Sequence, residues 1–328
     1  MIIKILSPNN YILLLIFILS LFFLSCSQSN SNKTNHITNP IIKGYFADPT
    51  IVKNDGNYII YATIDPWGGE ELAVFETKDF KNFSRKHINW PTKKACTSPT
   101  SKDAMVWAPS VVKKDNIFYM YVSVGSEVWV GKSKHPLGPW ENAKSNKTPL
   151  INSEYFPGFH MIDAECFIDE DGEAYLYWGS GLNWVNGKCF VVKLEKDMVT
   201  FAEEPKDITP PSYFEAPFML KHKGNYYLMY SEGKAIDSTY KIQYSIGKLP
   251  YGPWVKGKNS PILSSSSDSV TIGPGHHTVF TEKNQNYILY HRIFPQEKDI
   301  VLRELCVDSL NFDKDGNIKK IIPKGIDW

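Results

Sequence analysis

Residues 47–64 read ADPTIVKNDGNYIIYATI, and this stretch shows the pattern that decides the fold. A short polar opening is followed by a β-branched apolar run, then by Asp55 and Gly56, and then by a second run rich in Tyr and Ile. Two apolar runs joined by Asp-Gly are typical of a β-hairpin, because this dipeptide adopts the backbone conformation that a tight turn requires. The stretch therefore predicts two adjacent antiparallel strands.

The same pattern occurs five times along the chain. Successive copies are spaced by 60, 55, 53 and 60 residues, and their equivalent opening positions are Asp48, Ala108, Asp163, Ala216 and His276. Each interval leaves room for two further strands, which is typical of the four-stranded blades of a β-propeller. We predict an all-β fold, a five-bladed β-propeller with four-stranded antiparallel blades around a central channel. A solenoid is the alternative, but the repeat shows no leucine-rich or hexapeptide register.

The composition excludes several classes of protein. A chain of 328 residues with 42% hydrophobic content can bury a core, which excludes global disorder. The 36 Lys and Arg against 35 Asp and Glu give a net charge of +1, so the basic excess of a nucleic-acid-binding protein is missing. Aromatic residues make up 14% of the chain, and most recur in the second strand of each repeat, where packing between sheets accounts for them.

The N-terminus has the features of an export signal. Residues 11–24 form an apolar run that is short for a membrane-spanning helix, which needs about 20 residues, but fits the core of a signal peptide. The following Cys26, preceded by Phe-Leu-Ser, resembles the lipidation site of a bacterial lipoprotein signal. We expect a signal peptide at 1–25, a flexible tether at 26–37 and one propeller domain at 38–328. An ordinary secretory signal and an uncleaved anchor remain the alternatives.

These features predict where the protein acts and with which partners. We expect an exported monomer that a lipid anchor holds on the bacterial outer membrane or on a membrane facing the periplasm. The four cysteines after Cys26 show no metal-binding spacing, and we expect buried free thiols: Cys96, Cys166, Cys189 and Cys306.

The repeat brings carboxylates together. In a propeller the innermost strands converge on the channel, so the opening positions of the five repeats meet at one mouth of it. Asp48, Asp163 and Glu215, which precedes Ala216, would share that space. Carboxylates that are buried together repel one another and resist desolvation, so stability does not select such a cluster. The cluster therefore predicts either a metal site or acid–base chemistry.

Motifs around these positions resemble those of glycoside hydrolase family 43. In chain order they are Ala47-Asp48-Pro49-Thr50, Trp107-Ala108-Pro109-Ser110, IDAECFIDEDG at 162–172 and Glu215-Ala216-Pro217. The departures are Ala164, where the family commonly has Pro, and one extra residue in the turn that follows it. Neither removes a carboxylate, and the resemblance spans nearly all of 40–328.

The resemblance implies inverting hydrolysis of a glycosidic bond in an oligo- or polysaccharide, with no cofactor in the chemistry. Inverting enzymes hold an acid and a base carboxyl about 6.5–9.5 Å apart, so that a water molecule fits between the base and the sugar. By the family pattern, Asp48 is the general base and Glu215 the general acid. Asp163 would raise the pKa of Glu215 and orient it.

The resemblance also implies roles for residues outside the trio. His276, in Gly273-Pro274-Gly275-His276-His277, matches a segment in which a channel His helps to bind a structural Ca²⁺ ion, although His277 could face inward instead. Arg292 matches an Arg that contacts the sugar. Phe46 and Trp107 flank motif positions and could stack on a sugar ring, with core packing as the alternative.

Within the family we expect an exo-acting α-L-arabinofuranosidase, with β-xylosidase and exo-galactanase or arabinanase as alternatives. A fructan- or sucrose-cleaving propeller is a second enzyme class, because Glu165-Cys166 resembles its Glu-Cys motif, but the other motifs of that class are absent. The non-enzyme alternative is a surface lipoprotein that binds glycan without cleaving it.

Overall fold

The computed structural model describes residues 35–294 and 300–328. In these ranges the chain forms 23 β-strands, and it contains no helix long and apolar enough to cross a membrane. Cys26 and the predicted signal peptide lie outside the described residues. The first strand begins at His36, within the range assigned above to the tether. The four cysteines that follow Cys26 are free and buried, as predicted.

The strands form five antiparallel sheets arranged as a five-bladed β-propeller, which confirms the predicted fold. In chain order, the first blade contains β2 (Phe46–Asn54), β3 (Asn57–Ile64), β4 (Ala73–Thr77) and β5 (Phe83–Lys86), and the second contains β6 (Val106–Lys114), β7 (Ile117–Val124), β8 (Glu127–Ser133) and β9 (Glu141–Asn142). The third contains β11 (Glu165–Ile168), β12 (Ala174–Trp178), β14 (Phe190–Leu194) and β15 (Lys206–Asp207), and the fourth contains β16 (Glu215–His222), β17 (Asn225–Glu232), β18 (Lys241–Gly247) and β19 (Val255–Lys256). The fifth contains β20 (Gly275–Glu282), β21 (Gln285–Ile293) and β22 (Arg303–Leu310).

Two short strand pairs accompany the blades. They are β1 (His36–Ile37) with β23 (Ile326–Asp327), and β10 (Phe159–His160) with β13 (Ser180–Gly181). The second pair lies next to the third blade and, as described below, carries residues of the central cavity.

The apolar core is divided among the contacts between blades. Five buried clusters each combine side chains from two neighbouring blades. One of them, which contains Ile60 and Leu289, joins the first blade to the fifth. Trp129 and Trp178, which are fully buried, belong to two of these clusters. Most of the aromatic residues therefore pack sheet against sheet, as the repeated positions predict.

A repeated backbone feature aligns the five inner strands. The opening residue of every repeat has a left-handed backbone, with φ values of 51° at Asp48, 45° at Ala108, 58° at Asp163, 55° at Ala216 and 36° at His276. This conformation is unfavourable for residues other than Gly, so the surrounding structure must hold it.

Hydrogen bonds between blades hold four of these residues. Each opening residue donates its backbone N–H to a side chain on the second strand of the preceding blade, at 2.8–3.2 Å: Ala108 to Thr63, Asp163 to Ser123, His276 to Ser231, and Asp48 to Nδ1 of His291. The bond between His291 and Asp48 joins the fifth blade to the first. The channel-facing ends of the strands are thus fixed to one another around the ring.

The fifth blade has three strands in the described residues, where the sequence predicts four. The N-terminal segment covers part of the free edge of β22, because Ile41 donates its N–H to the carbonyl of Leu305 at 2.9 Å and Val307 donates to Oδ1 of Asn39 at 2.8 Å. The ring is therefore closed by hydrogen bonds between the two ends of the propeller domain.

Asp308 fastens this closure. Its buried carboxylate accepts hydrogen bonds from the Tyr290 hydroxyl, the Asn39 amide and the backbone N–H groups of Lys324 and Gly325, at 2.8–3.0 Å. A carboxylate has no hydrogen to donate and can satisfy all four donors at once.

We expect Asp308→Asn to lower the free energy of unfolding by about 2–4 kcal/mol. The NH₂ group of the new amide would face hydrogen-bond donors that now bind the carboxylate, so some of them would lose their acceptor. Chemical denaturation measures this change. Asp315→Asn is the control, because Asp315 is exposed in the turn region after β22. It should change the free energy of unfolding by less than about 0.5 kcal/mol. Equal stability of the two variants would contradict this account of ring closure.

Candidate active site

A cavity of about 270 Å³ lies at the mouth of the channel where the inner strands begin. Its lining combines carboxylates, cations and aromatic rings: Asp48, Asp163, Glu215, His276, Arg303, His160, Trp67, Trp107, Trp184, Phe214, Ile162, Ser180, Gly181, Asn183 and Ala235. The three predicted carboxylates therefore share one cavity, as the internal repeat implies. They form its floor, with exposed fractions of 3% for Asp48, 5% for Asp163 and 8% for Glu215.

Asp48 is surrounded by donors and positive charge. Its Oδ2 accepts a hydrogen bond from the Thr63 hydroxyl at 2.7 Å, and its Oδ1 accepts one from Arg303 at 3.1 Å. Nδ1 of His276 also lies 3.2 Å from Oδ1. Burial alone would raise the pKa of Asp48, but Arg303 and His276 outweigh burial and hold the pKa well below its usual value. Asp48 is therefore ionised at neutral pH.

Arg303 binds two carboxylates at once. Its guanidinium forms a forked contact with Asp65, at 2.7 Å from Nη2 and 3.0 Å from Nε, while Nη1 reaches Asp48. Both Arg303 and Asp65 have almost no exposed side-chain surface. A planar fork of donors suits this geometry, and a lysine could not reproduce it.

Glu215 and Asp163 lie in a different electrostatic environment. Glu215 accepts hydrogen bonds from the hydroxyls of Tyr240 and Ser180, each at 2.8 Å, and within the part of the chain that the structure describes it forms no ion pair. Burial raises the pKa of Glu215, although these two hydrogen bonds oppose the shift. Burial also raises the pKa of Asp163; His276 opposes that shift, whereas the charges of Glu215 and Asp48 add to it. The two carboxyls titrate as a pair that retains a proton at neutral pH.

His276 lies between the two kinds of carboxylate. Its Nδ1 is 3.2 Å from Asp48 and 3.7 Å from Asp163. Burial alone would lower its pKa, but the charges of Asp163 and Asp48 outweigh burial and raise the pKa to about 9. The ring is therefore a cation at neutral pH.

The surroundings of His276 do not fit a metal ion. Residues 35–294 and 300–328 contain no group of three His, Cys, Asp or Glu side chains placed to hold one. Ca²⁺ prefers six to eight oxygen ligands, whereas Nδ1 of His276 faces carboxylates as a hydrogen-bond donor. No chemical step below passes through a metal, and Ca²⁺ binding in the channel stays a prediction from sequence.

The structure separates the three residues predicted to contact sugar. Trp107 lines the cavity, and its ring nitrogen donates to the Gly125 carbonyl at 3.0 Å. Phe46 is not among the lining residues; its ring packs edge-on against Phe75, with centroids 5.0 Å apart. Arg292 also lies outside the lining and pairs with Glu304 on the neighbouring strand at 3.3 Å.

Sequence reasoning missed Arg303, Trp184 and Tyr240. Trp67, which also lines the cavity, belongs to the loop after β3 and lies outside the repeated motifs. A signal for Arg303 exists, because only three of the 36 basic residues are Arg, namely Arg85, Arg292 and Arg303. A chain that relies on Lys for its surface uses Arg where a forked donor is needed. No comparable signal marks Tyr240, whose role depends on contact between distant parts of the chain.

The cavity therefore places a carboxylate held in its ionised form beside a carboxyl pair that keeps a proton. Environments that push the pKa values of neighbouring carboxyls apart are typical of sites where one group accepts a proton and another donates one. The arrangement can support general acid–base catalysis without a cofactor.

Comparisons with known proteins agree with this geometry. The model of the family described as Glycosyl hydrolases family 43 matches residues 37–318. The chain is 32% identical over 297 residues to the β-D-galactofuranosidase xynD of Aspergillus niger, covering 85% of this chain and 83% of that protein. It is 28% identical over 324 residues to a xylosidase/arabinosidase of Bacteroides ovatus, covering 84% of this chain and 94% of that protein.

Solved structures give the same result. A thermostable family-43 glycoside hydrolase superposes with a TM-score of 0.73 at 28% identity, covering 88% of this chain and 97% of that one. An α-L-arabinofuranosidase from Clostridium thermocellum superposes with a TM-score of 0.67 at 25% identity, covering 86% and 96% of the two chains. The protein belongs to glycosyl hydrolases family 43, and it is a glycoside hydrolase.

Proposed function

We propose that this glycoside hydrolase is an exo-acting, inverting α-L-arabinofuranosidase that removes single sugar residues from plant-type polysaccharides. The observation that carries the proposal is the floor of the cavity, where ionised Asp48 lies in the same small space as the proton-holding pair of Asp163 and Glu215. The volume of about 270 Å³ is below the roughly 300–1,000 Å³ of pockets for drug-sized ligands. It suits one sugar ring.

The proposed mechanism uses one water molecule. Asp48 removes a proton from the water molecule while the water oxygen attacks the anomeric carbon. Glu215 gives its proton to the glycosidic oxygen while the bond between that oxygen and the anomeric carbon breaks. Arg303 and His276 keep Asp48 ionised. Asp163 keeps Glu215 protonated through the repulsion that a second negative charge would cause, and Tyr240 and Ser180 orient the acid.

Two relatives are named for the hydrolysis of different furanosides. The relatives include an exo-α-(1→5)-L-arabinofuranosidase from Cellvibrio japonicus at 25% identity and the galactofuranosidase from Aspergillus niger at 32% identity. The α-L-arabinofuranosyl and β-D-galactofuranosyl rings carry the same ring configuration and differ only in the exocyclic group. A β-D-galactofuranosidase is therefore the second candidate, and β-xylosidase, exo-galactanase and arabinanase remain further alternatives.

A panel of 4-nitrophenyl α-L-arabinofuranoside, β-D-galactofuranoside and β-D-xylopyranoside tests the proposal. We expect the arabinofuranoside to give the highest kcat/KM and NMR to show the inverted anomer first. Asp48→Ala and Glu215→Ala should each lower kcat/KM by about 10²–10⁴-fold on a substrate with a sugar leaving group, which is the range for general acid–base catalysis.

Glu165→Gln is the matched control for the carboxylate variants. Glu165 begins β11, two residues after Asp163, but accepts a hydrogen bond from Ser110 at 2.8 Å and does not line the cavity, so we expect less than about a threefold change. If Glu165→Gln loses activity and the wild type releases its product with retained configuration, the fructan-cleaving class is favoured. A protein that binds these sugars and cleaves none of them would be the glycan-binding lipoprotein instead.

The pH profile tests the assigned charges. The acidic limb of kcat/KM should lie below pH 4, because the pKa of Asp48 is depressed, and the alkaline limb should follow loss of the proton shared by Asp163 and Glu215. Arg303→Met removes a charge that favours ionised Asp48, so its pKa should rise and the acidic limb should move towards neutral pH.

Arg292→Met is the control for the pH experiment. It breaks the pair with Glu304 outside the cavity and should leave the acidic limb in place. An unchanged limb in Arg303→Met would refute the assignment of Asp48 as the base. A raised KM in Arg292→Met would instead support the sugar contact that the sequence predicts for Arg292.

We also propose that residues 1–25 are removed on export and that Cys26 carries a lipid. The sequence before Cys26 supports this, and the anchor would hold the enzyme on the outer membrane or on a membrane facing the periplasm. Expressed in a bacterium, the wild type should fractionate with membranes and release into detergent. Cys26→Ser should lose lipid labelling and accumulate as the uncleaved precursor. Unchanged processing of Cys26→Ser would indicate an ordinary secretory signal.

A further inference from the structure

His291 occupies a position that recurs in the repeat. On the second strand of four blades, one residue lies opposite the position just before the opening residue of that blade: Thr63, Ser123, Ser231 and His291. Each accepts the backbone N–H of the opening residue of the next blade around the ring. A small hydroxyl side chain therefore suffices for this bond in three blades, and the imidazole in the fifth blade needs a further explanation.

The hydrogen bond with Asp48 fixes the state of the His291 ring. Nδ1 lies 3.2 Å from both the backbone nitrogen and Oδ1 of Asp48. The backbone N–H can only donate, so Nδ1 is the acceptor and the ring proton is on Nε2. The ring is fully buried, and burial lowers its pKa to about 4, so His291 is neutral at neutral pH.

Stability alone does not select an imidazole at this position. Nε2 of His291 is a buried donor with no hydrogen-bond partner within residues 35–294 and 300–328. An unpaired buried donor is destabilising. A Ser or Thr side chain would accept the N–H of Asp48 without adding a second polar nitrogen.

The second contact of His291 leads to the other carboxyl. Its ring is parallel to that of Tyr240, with centroids 5.8 Å apart at an interplanar angle of 4°, and the Tyr240 hydroxyl donates to Oε1 of Glu215 at 2.8 Å. Gly275, which lies opposite His291, makes room for this arrangement, because a Cβ there would be 1.9 Å from Cε1 of Tyr240. Tyr240 is thus placed by the backbone of Gly275 and the ring of His291.

We propose that His291 is a positioning residue that couples the general base to the general acid. Its Nδ1 holds the backbone of Asp48, and its ring face holds Tyr240 so that the hydroxyl meets Glu215. The proposal rests on the proposed function, which assigns the base to Asp48 and the acid to Glu215. An inverting enzyme needs these two carboxyls at a set separation, and small displacements of reacting groups lower the rate steeply.

His291→Ser separates the two contacts, because Ser accepts the equivalent N–H in two other blades but offers no ring to Tyr240. The substrates are 4-nitrophenyl and methyl α-L-arabinofuranoside. The 4-nitrophenolate group leaves without a proton, whereas methanol leaves only with help from an acid. We expect kcat to fall by about 10-fold or more on the methyl glycoside, by less than about threefold on the 4-nitrophenyl glycoside, and KM to change little.

The pH profile is a second readout that a purely structural role would not move. The hydrogen bond from Tyr240 lowers the pKa of Glu215, so weakening it raises that pKa. Since protonated Glu215 is the active form, the alkaline limb of His291→Ser should move up by about 0.5–1 pH unit. The variant leaves in place the other titratable groups that face Glu215: Asp48, Asp163, Tyr213 and His276.

Three further variants separate the contacts of His291. Tyr240→Phe should reproduce the selective loss and the shifted alkaline limb. His291→Phe keeps a flat ring beside Tyr240 but cannot accept the N–H of Asp48, so it should lower kcat equally on both substrates and leave the alkaline limb in place. His222→Ser is the matched control and should change neither substrate, because His222 stacks on Phe312 at 3.9 Å and 9° outside the cavity lining.

Glu215→Ala distinguishes failure of this proposal from failure of the proposed function. If Glu215→Ala loses activity selectively on the methyl glycoside but His291→Ser affects both substrates equally or neither, the coupling by His291 is wrong and the proposed acid stands. If Glu215→Ala shows no selectivity, the proposed acid is wrong. If the wild type prefers another sugar, the same two glycosides of that sugar are compared.

The test also covers a variant that does not fold. If circular dichroism shows His291→Ser to be unfolded, His291→Phe decides, because a selective loss on the methyl glycoside in this variant would contradict the assignment of the ring face to Tyr240. A wild type that cleaves no glycoside would overturn both proposals.

Discussion

The cavity depends on a shortage of positive charge at its floor. Asp48, Asp65, Asp163 and Glu215 lie around the channel mouth, and the buried cations that face them are Arg303 and His276. Two cations cannot balance four carboxylates in a region of low dielectric, so at least one carboxyl must keep its proton. Since Arg303 contacts Asp48 and Asp65, the proton remains on the pair of Asp163 and Glu215. In the proposed mechanism, the division between base and acid follows from the position of Arg303.

That charge distribution requires a rigid ring. Asp48, Asp163 and His276 lie on three different blades and take left-handed backbone conformations that are unfavourable in isolation. Hydrogen bonds from the preceding blades hold these residues, and the bond from Asp48 to His291 connects the two ends of the ring. If closure at Asp308 or at this bond were lost, the carboxylates would gain access to water and their pKa values would return towards ordinary values. Stability of the ring and chemistry of the cavity are therefore coupled.

The sequence predicts what the repeat encodes and misses what it does not. The repeat fixes the blade count, the column of opening residues and hence the convergence of Asp48, Asp163 and Glu215. Arg303 lies outside that column, at the start of the third strand of its blade, so only tertiary structure brings it to Asp48. Phe46 lies two residues before Asp48 on the same strand, and regular alternation would place both on one face. The register shift between Ala47 and Thr50 and the left-handed backbone of Asp48 break that alternation, and the Phe46 ring packs against Phe75 within the blade. Arg292 is, like Arg303, one of the few arginines of the chain, but it lies opposite Glu304 on the neighbouring strand and its side chain pairs with that residue.

Chemistry and specificity consequently have different origins in this chain. Residues at the openings of the inner strands supply the proposed acid and base together with His276, and any family member with the same column can share them. Arg303, at the start of β22, supplies the second cation. Trp67 and Trp184, which line the cavity, come from two loops that have no counterpart in the repeat, one after β3 and one after β13. A change at Trp67 or Trp184 leaves the column and its hydrogen bonds unaltered, because neither side chain takes part in them, whereas Asp65 of the first loop binds Arg303 and belongs to the charged floor. Substrate choice can therefore diverge among relatives named for xylosides, arabinofuranosides or galactofuranosides while the floor stays the same. The loops, rather than the carboxylates, are therefore the part of the site where we expect substrate preference to be set.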